Sequence, residues 1–287
     1  MVPLWQAILL APLSAFADDG VSVPGTVEEA LASPQAGFWR EAMDAEIASL
    51  YQNGTWQLVK APSGVQPIDV KWVFAIKRDS MGSIVRFKAR LVARGFQQQE
   101  GVDFTETFAP VSKYSTTRAV LAMAAAEGWE VQQLDVKTAF LQGRLEEEVF
   151  VEQPPGYSDG TGRVCLLYKA LYGLKQAPRA WHMHMHEQLL RLGYSVSVAD
   201  PGLYVYVRVE SSGERVILLV YVDDMLLVSP SKAAVQEAKD VLLGAFDARD
   251  MGAVCDFVGM HITRDLQQGT IKISNERMIA DLLQRYG

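Results

Sequence analysis

The run Val220-Tyr221-Val222-Asp223-Asp224-Met225-Leu226-Leu227 sets two adjacent carboxylates inside an otherwise apolar stretch. Burying two ionised carboxylates side by side is prohibitive unless a cation or exposure to water relieves them. A tight turn between two strands supplies exposure, and aspartate tolerates turn geometry, so an ordinary hairpin turn is one reading. Asp135 supports another, because it ends the strand-like segment Glu130–Val136 and offers a third carboxylate. Magnesium takes hard oxygen ligands, keeps waters and is held by a few carboxylates plus substrate phosphates. Two such ions, about 3.5–4 Å apart, can stabilise the attacking and leaving oxygens of a phosphoryl transfer. Asp135, Asp223 and Asp224 are a sufficient ligand set for that chemistry.

A triphosphate would also need cations. Between Lys71 and Arg94 stand Lys71, Lys77, Arg78, Arg86, Lys88, Arg90 and Arg94 against Asp79 alone, although the chain as a whole carries a net charge of −7. Arg86, Lys88, Arg90 and Arg94 share one parity, so a strand there turns one cationic face outward. A solvated hairpin face explains this too, but same-sign neighbours repel unless an anion sits among them. His182 and His186 have a helical spacing that can hold zinc; with no third ligand in the sequence, a polar helix face accounts for them. Cys165 and Cys255 are too few and too distant for a disulfide scaffold and read as buried, reduced thiols.

The elements that must position these groups mix helix and strand without strict alternation, which predicts an α+β fold. Thr26 and Glu29 form a capping box for a short helix ending before Pro34, and Trp39, Met43, Ile47 and Leu50 mark a second helix. Lys71–Lys77 and Ser83–Phe96 read as a hairpin around the turn Asp79–Gly82. Ser115–Gly128 and Ala180–Leu192 are predicted helices. Leu203–Val209 and Arg215–Val222 are predicted strands joined by Glu210–Glu214, the second central and buried on both faces. A strand over Met225–Ser229 follows, then a helix over Lys232–Phe246 and strands over Phe257–Thr263 and Thr270–Ile273. Ser274 is expected to cap a last helix. Hydrophobic residues are 49% of 287 and charged residues 21%, enough for a sizeable core. With a mean hydropathy of +0.05 and no apolar run of spanning length, a membrane helix is not expected. Leu4–Ala17 resembles a signal-peptide core but lacks a basic flank, so residues 1–21 stay an unassigned leader and an intracellular chain is expected.

The Tyr-Val-Asp-Asp turn at Tyr221–Asp224 resembles that of reverse transcriptases. Other blocks narrow the resemblance to copia-type LTR retrotransposons: Trp56–Val59 (WQLV), Lys71–Phe74 (KWVF), Lys88–Phe96 (KARLVARGF) and Thr107–Val111 (TFAPV). Gln133–Gly143 (QLDVKTAFLQG), Leu171–Trp181 (LYGLKQAPRAW), Asp200–Tyr204 (DPGLY) and Phe257–Ile262 (FVGMHI) complete them. These blocks run in collinear order from about Phe38 to the end.

The resemblance implies a right-hand polymerase. Its fingers would span roughly 53–113 and 142–175, its antiparallel, ferredoxin-like palm roughly 114–141 and 176–264, and the start of a truncated thumb 265–287. It implies an RNA-directed DNA polymerase using two Mg2+ ions, with Mn2+ as a substitute, on Asp135, Asp223 and Asp224. Lys88, Arg90, Phe140, Tyr172 and Gly173 would contact the dNTP, with Phe140 crowding the sugar 2′ position unless it is a core residue. Pro178, Tyr221, Phe257, Gly259 and Met260 would contact template-primer. Partners would be RNA or DNA template-primer, dNTPs and the ribonuclease H and integrase regions of a polyprotein, whose absence here suggests a fragment. A catalytically inactive retroelement relic remains the alternative. A two-metal nuclease or phosphatase would explain the carboxylates but not the other blocks, and an RNA-dependent RNA polymerase does not fit the segments around the turn.

Overall fold

The computed structural model describes residues 21–79, 82–207 and 214–286. Most of the leader, the centre of the Asp79–Gly82 turn and most of the Glu210–Glu214 turn lie outside them. The chain divides into two compact units, one made of the residues up to Thr105 plus Leu145–Ala177, the other of Glu106–Arg144 plus Pro178 onward.

In the first unit, helices α1 (Val27–Ala32) and α2 (Ala36–Gln52) precede a hairpin of β2 (Val70–Arg78) and β3 (Ile84–Ala93). The Thr26 half of the capping box forms, Thr26 accepting from the Glu29 amide at 3.2 Å, while the Glu29 side chain accepts from the Gly25 amide at 2.7 Å, one residue before the cap. Helix α2 buries Trp39 against Phe74 and Phe87 of the hairpin, both ring pairs meeting edge to face. A second small sheet, ordered β1-β6-β5, joins β1 (Trp56–Val59), β6 (Val164–Lys169) and β5 (Arg144–Val151), whose first residue belongs to the other unit. The expected strand Ser83–Phe96 stops at Ala93. There the Arg94 amide turns to the Asp69 carbonyl and Gly95–Gln97 forms a 3-10 turn.

The second unit carries a six-stranded antiparallel sheet ordered β11-β4-β10-β9-β8-β7. Its strands are β4 (Glu130–Val136), β7 (Ser195–Val196), β8 (Leu203–Val207), β9 (Arg215–Tyr221), β10 (Asp224–Ser229) and β11 (Ala248–Ala253). The expected central, buried strand is β9, in which Val216, Leu218, Leu219 and Val220 are all buried. One face of the sheet presents Val131, Leu219, Leu226 and Val228 to α3 (Tyr114–Ala126), with Phe257, Met260 and Ile262 of β12 (Asp256–Phe257) and β13 (Met260–Asp265) completing that core. Helix α6 (Lys232–Ala245) packs on the sheet, and α4 (Ala139–Gln142) and α5 (Ala177–Arg191) lie between β4 and β7 in sequence.

The last helix, α7 (Glu276–Tyr286), follows β14 (Thr270–Ser274). Ser274 ends that strand instead of capping the helix; the Asn275 carbonyl accepts the first helical bond, from Ile279, because the cap residue must leave the sheet before the helix turns. Cys165 is buried as expected, whereas Cys255 is exposed, lying just before the edge pair β12–β13. Among the described residues no helix is long and apolar enough to cross a membrane.

Candidate active site

Strand register assembles the carboxylates. Asp224 pairs with Asp135 on β4 and with Tyr221 on β9, and Asp135 pairs in turn with Arg249 on β11. Directly paired residues project to the same face, so Arg249, Asp135, Asp224 and Tyr221 form one row across four strands. It lies on the face that also carries Leu226 and Val131, and Gln133 lies one pleat inward from Asp135. The Gln133 amide donates to Asp224 Oδ1 at 2.9 Å. Asp223 sits beside this row, its carbonyl accepting from the Val136 amide at 2.8 Å.

Burial lifts the Asp224 carboxyl to about 6; the charge of Asp223 adds to the lift, the Gln133 hydrogen bond opposes it, and the charge of Asp135 adds again. A cation would relieve all the upward effects at once, and the donors are hard carboxylate oxygens, so the set fits a divalent ion in chemistry. The side chains do not stand in a ready-made metal cage: among the described residues no three His, Cys, Asp or Glu side chains have that arrangement.

The connection between the paired strands is strained. Tyr221 and Asp224 bracket a two-residue turn in which Val222 has φ +58°. Such a turn favours glycine at its first central position, and a β-branched residue there is an outlier. Thr138, between Asp135 and Phe140, has φ +46°, and Val258, in the Phe257–Met260 hairpin, has φ +51°. These are all of the non-glycine positive-φ residues among the described ones, and each falls within one of three sequence blocks carrying expected site residues. Strained backbone of this kind persists where surrounding structure over-determines it.

Phe140 lies on α4 and is 8% exposed, a buried ring in this structure. Phe257 and Met260 are buried in the core, which leaves the Val258–Gly259 turn as the more open part of that hairpin. Pro178 occupies the first turn of α5, where its missing N–H costs nothing. The histidines of α5 are not a solvated polar face. His182, His184 and His186 are half-buried, the His182 and His186 rings stack at 5.8 Å, and His186 Nδ1 lies 2.9 Å from the Tyr204 hydroxyl, because α5 packs against β8 there.

In the other unit, Lys77 faces Arg86, and Ala75 and Val73 face Lys88 and Arg90, so the expected cationic face forms. Arg94 lies beyond the end of β3 and is exposed. Burial pulls the Lys88 ammonium below its usual value, Arg90 pulls the same way, and Glu46 on α2 opposes them, with Lys77 and Arg86 adding smaller downward effects. The Arg90 guanidinium lies 4.8 Å from the centre of the Tyr172 ring. Gly173 has φ +91°, and a Cβ there would lie 2.1 Å from the Ala93 carbonyl oxygen; a Cβ on Gly95 would lie 2.0 Å from the Gly173 oxygen. Buried Gln98 and Gln176 bond each other at 2.9 Å beneath this contact. The Tyr172–Gly173 segment is therefore tied to the end of β3 by backbone packing.

Sequence reasoning missed several neighbours of the site. Gln133 reads as part of a strand and as the first residue of the block around Asp135, with no role of its own. Arg249 lies on a polar, glycine-containing strand, ARDMGA, with no apolar alternation to announce it. The Tyr114 hydroxyl donates to the Val258 carbonyl at 3.1 Å while its ring approaches that of Tyr221 at 6.5 Å. The Asp200–Tyr204 block also gains a physical role: Asp200 accepts from the Lys113 and Gly202 amides, and a Cβ on Gly202 would meet the Ser112 nitrogen at 2.1 Å.

This chain belongs to the reverse transcriptase (RNA-dependent DNA polymerase) family, whose sequence model matches residues 53–287. That membership carries the α+β right-hand polymerase fold. Within the family it is a domain of the copia-type retrotransposon kind, as its relatives indicate. It is 42% identical over 265 residues to the retrovirus-related Pol polyprotein from transposon TNT 1-94 of Nicotiana tabacum, covering 92% of this chain and 20% of that protein. It is 42% identical over 267 residues to the Pol polyprotein from transposon RE1 of Arabidopsis thaliana, covering 92% and 18%. The chain thus spans about a fifth of the length of these relatives. Among solved structures, a foamy viral protease-reverse transcriptase in complex with double-stranded DNA aligns with a TM-score of 0.41 and 14% identity, over 86% of this chain and 37% of that one.

Proposed function

We propose that the chain is the RNA-directed DNA polymerase domain of a retrotransposon polyprotein, joining a dNTP to a primer 3′-hydroxyl with release of pyrophosphate. The observation that carries the reading is the pairing of Asp224 with Asp135, with Asp223 in the adjoining turn. Asp135, Asp223 and Asp224 would hold Mg2+, with Mn2+ as a substitute. When bound, the ions supply charge neutralisation at the triphosphate and activation of the primer oxygen.

The remaining roles follow from the family resemblance. Lys88 and Arg90 take the triphosphate, with Tyr172 holding the Arg90 guanidinium and Gly173 fixing the Tyr172 segment against β3. Phe140 excludes a 2′-hydroxyl. Pro178, Tyr221 and the turn at Gly259 orient template and primer, and Phe257 and Met260 anchor that turn in the core. The first unit serves as fingers and the second as palm; their bounds depart from the expected spans, since residues 106–113 and 142–144 belong to the second unit and α1 and α2 to the first.

Primer extension by the purified chain tests the reading, with RNA and DNA templates, Mg2+ or Mn2+, and Asp135→Asn as control. Extension on RNA that disappears in Asp135→Asn supports it. A folded wild-type chain that extends neither template would instead identify a catalytically inactive relic.

A further inference from the structure

We infer that Trp181 is a positioning residue for the aspartate pair, acting through the backbone of the strained turn; the inference rests on the polymerase reading above. Trp181 lies on α5 with 1% of its surface exposed, and its indole Nε1–H donates to the Val222 carbonyl at 2.7 Å. Val222 is the residue with φ +58°, directly before Asp223 and Asp224. A valine gains nothing from that conformation, so something outside the turn must hold it. The indole bond does so, and it acts on the peptide unit that leads into Asp223.

The same stretch of α5 also fixes the other side of the site. Gly143, which closes α4 after Phe140, approaches α5 so closely that a Cβ there would lie 2.6 Å from the Trp181 nitrogen and 2.6 Å from the Ala180 carbonyl carbon. The segment descending from Asp135 through Thr138 and Phe140 therefore abuts the backbone of α5 at the residue whose side chain grips Val222. The Trp181 ring is itself held edge-on by buried Phe246, at 5.8 Å between centroids. One rigid tryptophan thus ties the Asp223–Asp224 turn to the segment carrying Asp135. Misplacement of reacting groups by about 1 Å can cost on the order of a hundredfold in rate.

The test removes the donor and keeps the ring. Trp181→Phe, and benzothienylalanine at position 181, which has the shape of tryptophan without the N–H, are compared with wild type. Melting temperature, Mn2+ affinity by electron paramagnetic resonance without nucleotide, and single-nucleotide kcat and KM are the readouts. The expected result is a folded protein with weakened Mn2+ affinity and kcat lowered about ten- to a hundredfold, while KM for primer-template changes little. Val222→Gly supplies the second arm, because glycine adopts positive φ without help. In that background the loss caused by Trp181→Phe should shrink.

Unchanged Mn2+ affinity and kcat in a folded variant would overturn the inference, as would an equal loss in both backgrounds. Failure of the benzothienyl chain to fold would also overturn it, since the bond would then serve the fold alone. A folded wild type that neither binds Mn2+ nor extends a primer would instead overturn the polymerase reading.

Discussion

Asp135 and Asp224 face each other directly across β4 and β10, although a sheet normally avoids like charges in that position. The pairing is a cost that a function must justify, and it makes a prediction in two parts. Asp224→Asn should raise stability, by about 0.2–1 kcal/mol, because one of two opposed charges disappears and the Gln133 contact can be kept. It should also lower kcat by about a thousandfold or more, in line with losses on removing groups that act only in the transition state. Urea melts beside single-turnover kinetics decide; a variant both less stable and fully active contradicts each half.

Gly173→Ala should destabilise the first unit severely. The substitution places a Cβ 2.1 Å from the Ala93 oxygen on a backbone at φ +91°. A loss of about 2–4 kcal/mol is expected from strain and overpacking combined. Wild-type urea resistance in this variant would show that the end of β3 yields easily.

Charge reversal at Lys88 or Arg90 should raise the dNTP KM and lower kcat/KM, whichever template is used. The cationic face has Lys77 directly opposite Arg86, a repulsion that a bound anion relieves. Steady-state kinetics with varied dNTP measure it, and unaltered kcat/KM would reduce the hairpin to a solvated surface.

Phe140→Ala should both narrow the dNTP-over-rNTP preference and destabilise the protein. The ring is 8% exposed, so truncation costs about 3–5 kcal/mol. Primer extension with each nucleotide class, run below the variant's melting temperature, isolates the first effect. Preserved discrimination in folded Phe140→Ala removes Phe140 from sugar selection.

His182 gives the chain an acid-side weakness. Burial, then His186 and Arg179, hold its imidazole down to about 4, and its buried Nε2 has no hydrogen-bond partner among the described residues. The unfolded chain, with an ordinary histidine near 6.5, binds the proton more readily. Stability should therefore fall as pH drops through about 6.5 and stop falling from this source below about 4. His182→Gln should flatten that part of the profile in urea melts at stepped pH; an identical slope would assign the acid sensitivity elsewhere.

The sequence made the strands of the second unit legible where apolar runs were long. Arg215–Tyr221 is an example, and its central place follows from having no polar alternation. Asp135 and the aspartate pair were legible because carboxylates are conspicuous among Val and Leu. The neighbours were not: Arg249 on a polar edge strand and Gln133 beside Asp135 emerge only once register is known. Trp181 read as one apolar position of an amphipathic helix, since spacing does not report an N–H aimed at a carbonyl. The Thr26 cap is legible because it is local, although Glu29 accepts from Gly25 and not from Thr26 itself. Ser274 failed as a cap because the strand before it, whose pairing partner is β13, runs one residue further than its own residues announce.

Strand order also constrains how the protein is made. Strand β4 is complete by Val136, but both of its neighbours, β10 and β11, are encoded after Asp223. A nascent chain that has released β4 from the ribosome thus carries a strand with two open edges until much of the second unit has been translated. Open strand edges invite pairing with other chains, and contacts between distant segments form slowly. Glu130, Gln132, Gln133 and Asp135 make four of the seven residues of β4 polar, and Asp135 thereby has a second value: with its polar neighbours it makes β4 a poorer template for aggregation while the strand waits for Asp224 to be synthesised.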